Sequence, residues 1–228
     1  MVTSTDNYLF AILSTLAVLF ILVAYISIKS NKNLKNVNDN IKKLIDEERE
    51  ANFARNKDID DSYFVEAHLE SLPILEDRVL DTKYNAVEKF LIKEAQHNVL
   101  KYGNMKMIKG NELLSNLEIK KQFGAKSLEV FALYEQNCAK YTKSLREISK
   151  IYIDLKDYST AEQFLIECIR IGSISSDTYI LLAQVYHETK KDEKILELQD
   201  YVTTTSHFRG NESGRQKILE YISSLSLR

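Results

Sequence analysis

Residues with reactive side chains are scattered along this 228-residue chain. Its four histidines, His68, His97, His187 and His207, never fall at ligand spacing within one helix, so they read as surface or interface groups. Cys138 and Cys168 have neither metal-ligand spacing nor the pattern of a disulfide framework, and are expected as reduced, half-buried thiols on helices. Asp58, Asp60 and Asp61 gather acidic charge, but a calcium loop needs a glycine and a terminal glutamate at fixed offsets, and neither is present. With no phosphate loop, zinc pattern or nucleophile motif, no enzyme activity, metal or cofactor is expected. Lys190, Lys191 and Lys194 form a basic cluster, read as a solvated turn, with an acidic partner segment as the alternative. The net charge of −2 gives no reason to expect nucleic acid as a partner. The chemistry left is that of recognition. Lys143, Glu147, Lys150 and Asp154 recur at helical spacing, as do Gln184, His187 and Glu188, and such rows can pair with and hydrogen-bond a protein partner.

The elements that must carry these rows are helices. One proline, Pro73, and six glycines leave little to interrupt them. Ile148-Ser149-Lys150-Ile151-Tyr152 is echoed 34 residues on by Leu182-Ala183-Gln184-Val185-Tyr186. The same shift carries Leu145 onto Tyr179, Lys156 onto Lys190 and Phe164 onto Leu198. Repetition at this period marks stacked units that bury their apolar faces against one another. Helix pairs are expected at 111–122 with 125–140, at 143–156 with 158–171, and at 176–189 with 192–204. Gly172 suits a helix C-terminus, and the serines after it with Asp177 offer caps for the next helix.

The middle pair resembles a tetratricopeptide (TPR) repeat, a helix-turn-helix unit of this length. Leu145, Ile148, Ser149 and Tyr152 match its first helix, and Tyr158, Ala161, Leu165 and Cys168 its second. The third pair keeps Tyr179, Leu182, Ala183 and Tyr186 but has Asp192, Ile195 and Gln199 in its second helix where an aromatic, a small and a large apolar residue belong. The first pair has only Leu114, Ser115, Ser127 and Phe131 in register, and the proline that usually closes each unit is missing from all three. The resemblance implies a concave surface, made mostly by first helices, that holds a peptide or helix of another protein.

Before the repeats lies a different composition. Residues 8–28 run for 21 positions without a charge, long enough to span about 30 Å as a helix. No lysine or arginine precedes them, which argues against a cleaved signal peptide and for an anchor. Lys29, Lys32, Lys35, Lys42 and Lys43 follow, so the positive-inside rule places the N-terminus outside and the remainder in the cytoplasm. Leu34, Val37, Ile41 and Leu44 form a coiled-coil seam over two heptads, a candidate for homodimerisation, before the charged stretch 46–61. Between 62 and 107, Phe64, Val65, His68, Leu69 and Leu72 share a helical face, Pro73 sets a boundary, and Val87, Phe90, Leu91, Ala95 and Val99 form a stripe expected to pack inward. After the repeats, Ile218, Leu219, Ile222 and Leu225 make one face of an amphipathic helix suited to covering the end of a stack.

The expected architecture is all-α: a transmembrane helix (8–28), a helical stalk (29–61), an irregular helical region (62–107), a short TPR-like solenoid (108–209) and a capping helix (212–228). The expected function is a single-pass, membrane-anchored adaptor or scaffold binding a protein at the membrane surface, with a bacterial inner membrane as its setting. The alternative is a structural subunit of a membrane complex, assembled through anchor and stalk.

Overall fold

Helix-forming segments with few breakers give an all-α fold, and helices make up nearly all of the regular structure described, which covers residue 29 and residues 34–109, 114–205, 208 and 211–225. In this computed structural model the chain divides into two units, residues 1–54 and 55–228. In the first, a helix over 34–52 (α1) carries the seam of Leu34, Val37, Ile41 and Leu44 on an exposed face. Among the described residues no helix is long and apolar enough to cross a membrane, and the anchor expected at 8–28 lies outside them.

The second unit opens with a 3₁₀ turn at Asp61–Tyr63, a two-residue strand β1 (Phe64–Val65) and a second 3₁₀ turn at Leu69–Ser71. Two helices follow, α2 (Asp77–Lys83) and α3 (Ala86–Gly103). Asn85 starts α3 with a reciprocal capping box to Glu88, which satisfies amides that the first turn leaves unpaired. Strand β2 (Met107–Ile108) pairs antiparallel with β1, matching Phe64 to Ile108 and Val65 to Met107. The helical face expected at Phe64–Leu72 is therefore a short ladder followed by a 3₁₀ turn, and Pro73 stands four residues ahead of α2.

Helix α4 (Asn116–Phe123) ends at Gly124, whose φ of 88° and a Cβ clash with Asn56 both exclude larger residues. Next comes α5 (Ser127–Asp154), a single helix of 28 residues. The helices expected separately at 125–140 and 143–156 are thus continuous. Tyr141 and Thr142 are buried at the expected break and continue the inward face. Helix α3 packs along α5 and buries Ile92, Ala95 and Val99 there. Val87, Phe90 and Leu91, expected in the same inward stripe, are instead exposed.

Beyond α5 the chain keeps a strict period. Helices α6 (Tyr158–Arg170), α7 (Ser176–Glu188) and α8 (Asp192–Thr204) each have 13 residues, and α6 and α8 begin 34 residues apart. The turns that end α5 and α7 carry matching hydrogen bonds. Lys156 N donates to Ile153 O and Asp157 N to Tyr152 O, at 2.9 and 2.8 Å. Lys190 N donates to His187 O and Lys191 N to Tyr186 O, at 3.0 and 2.8 Å. These are Schellman motifs, with the pivotal residue in the left-handed region: Lys156 at φ 60° and Lys190 at φ 56°. Helix α6 ends in the same motif around Gly172. The last helix, α9 (Glu212–Leu225), packs on both α7 and α8 and buries Ile218, Ile222 and Leu225, as a cover for the stack must.

The principal core runs through this stack, with Tyr141, Leu145, Ile148 and Tyr152 of α5 against Ala161, Phe164 and Leu165 of α6. Small side chains at Ser149 and Ala161 let the helices approach, and the Tyr152 and Phe164 rings stack 5.9 Å apart beside them. A smaller cluster of Ile108, Ile119, Phe123 and Phe131 seats α4 and the ladder on the N-terminal half of α5.

Candidate docking surface

A helix buries one stripe and offers the other to solvent, so the packing of α5 and α7 decides which of their polar residues can meet a partner. On α5, Lys143, Glu147, Lys150 and Asp154 are all exposed. Lys143 and Glu147 form an i,i+4 ion pair at 3.7 Å, worth a few tenths of a kcal/mol at most and readily opened by a competing ligand. On α7, Glu188 is exposed, while Gln184 and His187 are half-buried. Under the 34-residue shift Lys150 and Asp154 stand at the repeat positions of Gln184 and Glu188, and α5 and α7 pack against each other. Part of α7 is already occupied by α9, since Lys217 pairs with Asp177 at 3.2 Å.

A pocket of about 310 Å³ opens beside the α5 row, and spacing along the chain gave no sign of it. Glu135, Cys138, Ala139, Thr142 and Arg146 of α5 form one wall, and the α6–α7 turn, Gly172–Ser175, forms the other. Burial holds the Glu135 carboxyl above its ordinary range, with no cation opposing it. Arg146 has no carboxylate partner among the described residues. The floor is fixed by hydrogen bonds: the Cys168 thiol lies 3.4 Å from Thr142 O and 3.5 Å from Thr178 Oγ1, and Tyr179 donates to Ser173 O at 2.9 Å. Burial pushes the Cys168 thiol up despite these bonds and the nearby Arg146, so it remains a protonated, inert thiol. Neither Cys138 nor Cys168 forms a disulfide, and both are buried more deeply than expected.

Two charge clusters turn inward. Glu162 of α6, 7% exposed, takes Lys191 at 2.5 Å and Lys194 at 2.7 Å from the start of α8. Burial works against its charge, but the two lysines outweigh this and hold the carboxyl below its ordinary range. Two of the three lysines expected as a solvated turn, Lys191 and Lys194, are thus spent on an acid within the chain, and Lys190 stays exposed. Similarly, Glu167 binds Arg170 at 2.6 Å, accepts from Tyr141 Oη and accepts from the His68 amide. Arg170 also donates to Glu66 O, so this knot fastens the segment after β1 to α6. Its geometry is that of a latch and leaves no open coordination.

A second concavity, about 730 Å³, lies at the ladder between Phe64–Leu69 and Gly103–Met107. It shares no residue with either polar row. No family model matches the chain, and neither a curated protein nor a solved structure is found similar to it.

Proposed function

We propose that this chain is a membrane-anchored, TPR-like adaptor that holds a segment of another protein on the exposed faces of α5 and α7. The observation that carries the reading is a pair of hairpins in 34-residue register, with Lys143, Glu147, Lys150 and Asp154 of α5 exposed near a pocket and Glu188 exposed on α7. A rigid helical scaffold with polar rows around a small, partly apolar pocket suits binding better than bond-making. Arg146 and Lys150 supply positive charge to a partner's acidic groups, and Gln184, His187 and Glu188 supply hydrogen bonds. Fixing such a surface at a bilayer, through residues 8–28 and with the stack on the cytoplasmic side, raises its effective concentration for membrane partners.

Affinity purification from detergent-solubilised membranes tests this reading. Charge reversal at Arg146 and Lys150, with Gln184→Glu, is expected to release a protein that the parent chain retains. Retention of every co-purifying protein by the triple variant would contradict it. The exposed α1 seam favours a second reading, a subunit assembled through its stalk. Residues 55–228 alone should keep the partner under the first reading and lose it under the second.

A further inference from the structure

Among the described residues the apolar face of α1 has no partner, with Leu34, Val37, Ile41, Leu44 and Ile45 exposed by 57, 52, 48, 58 and 54%. At 100° per residue these five side chains fall within an arc of about 100°. Ile45 widens the face beyond the narrow seam of a coiled coil, and the row lasts only three turns before Glu48 enters the same arc. Positions flanking the seam carry Asn38, Asn40, Glu47 and Asn52 besides Ile45, so no pair of opposite charges meets across a seam with a second copy. The charge of α1 changes sign where the apolar row ends. Residues 34–45 hold Lys35, Lys42 and Lys43 against Asp39, whereas 46–50 hold four acids against Arg49. Lys42 and Lys35 lie to one side of the apolar arc, and Lys43 lies behind it on the polar face with Asp39, the basic polar face of a helix that rests on a negatively charged surface. Upstream, residues 8–28 form the uncharged run that ends just before Lys29.

We propose that residues 34–45 lie in the headgroup plane of an anionic bilayer, with the apolar arc turned into the lipid and the lysines on its phosphates. The proposal rests on the membrane-anchor reading of residues 8–28. The seam is thereby filled by lipid, each lysine near the surface adds attraction, and the acidic stretch after it turns the chain away from the membrane.

The full chain, labelled with an environment-sensitive dye at Ile41→Cys or at Asn36→Cys on the opposite face, reports the position directly in reconstituted vesicles. In phosphatidylcholine vesicles containing phosphatidylglycerol, brominated lipid should quench the dye at position 41 and leave position 36 near its value in water. Lys35→Glu with Lys42→Glu and Lys43→Glu should abolish that difference, as should vesicles of phosphatidylcholine alone. Equal quenching at 41 with and without anionic lipid overturns the electrostatic part. A dye at 41 shielded from water but not quenched by lipid, with energy transfer between copies, overturns the proposal in favour of a dimer seam. Loss of the chain from alkali-washed vesicles overturns the anchor reading as well. A chain retained there with position 41 in water overturns this proposal alone.

Discussion

The two hairpins, α5–α6 and α7–α8, share a backbone and differ in what holds it. Their closing turns are superposable in hydrogen bonding, down to a lysine in the left-handed region at the same place. Their contents diverge. In the first, Asp157 caps α6 through the Thr160 amide, Ala161 lets the helices close, and Tyr152 stacks on Phe164. In the second, Lys191 stands at the cap, Ile195 replaces the small residue, and Leu198, which lines a groove with Tyr186, takes the place of the ring. Position 162 is a buried acid held by lysines of the next hairpin, whereas its counterpart Leu196 is 65% exposed. The contrast marks the last hairpin of the stack. A repeat position is satisfied by its successor, and the last hairpin has only α9 as a partial one.

That contrast can be broken by substitution, with the core first. Tyr152→Ala should cost about 3–5 kcal/mol and Tyr186→Ala distinctly less, about 2 kcal/mol, in chemical denaturation followed by circular dichroism. Tyr152 is fully buried, whereas Tyr186 faces a surface groove. Equal losses would mean that the hairpins are energetically alike.

The inter-hairpin clamp ranks next. Glu162→Gln should cost about 1–3 kcal/mol, because it takes from Lys191 and Lys194 the charge they hold. Its carboxyl sits below the ordinary value of 4.5, so the clamp's stabilisation is present above that pH and fades as pH falls through the lower folded value. The parent chain should therefore lose its advantage over Glu162→Gln on acidification below about 4.5, as a pH series of unfolding midpoints would record. A gap that persists at low pH would contradict the clamp.

Capping comes third. Asp157→Ala removes the α6 cap and the 3.0 Å pair to Lys83, at a cost of about 1 kcal/mol. The smallest effect concerns what the hairpins share. Lys156→Gly and Lys190→Gly should each stabilise by about 0.5 kcal/mol, since relief of the left-handed strain slightly exceeds glycine's entropy cost. Opposite signs at the two sites would break the equivalence of the turns.

These turns were legible in the sequence because the 34-residue echo and the lysines at its end are local features. The continuity of α5 was also written there, since no glycine or proline lies between Lys140 and Lys143. The break expected there came from extending the repeat period to a segment whose neighbour is α3. The inward face of α3 was ambiguous: a row through Ile92, Ala95 and Val99 competes with one through Val87, Phe90 and Leu91. Packing on α5 chose the first. Of the docking surface, the row Lys143, Glu147, Lys150 and Asp154 follows from helical spacing alone. The adjoining pocket does not, because the turn at Gly172–Ser175 meets α5 across some thirty residues of chain. Glu162 and its lysines, 29 and 32 residues away, were hidden for the same reason.

The adaptor reading is tested most directly by photo-crosslinking residues placed one at a time along the stack in intact cells. Sites at Lys150 and Gln184, on the first helices, should give crosslinks to one and the same protein. Gln163 and Glu193, on the second helices, should give none to it. Crosslinks to a common protein from Gln163 and Glu193, with none from Lys150 or Gln184, would contradict a docking surface on α5 and α7.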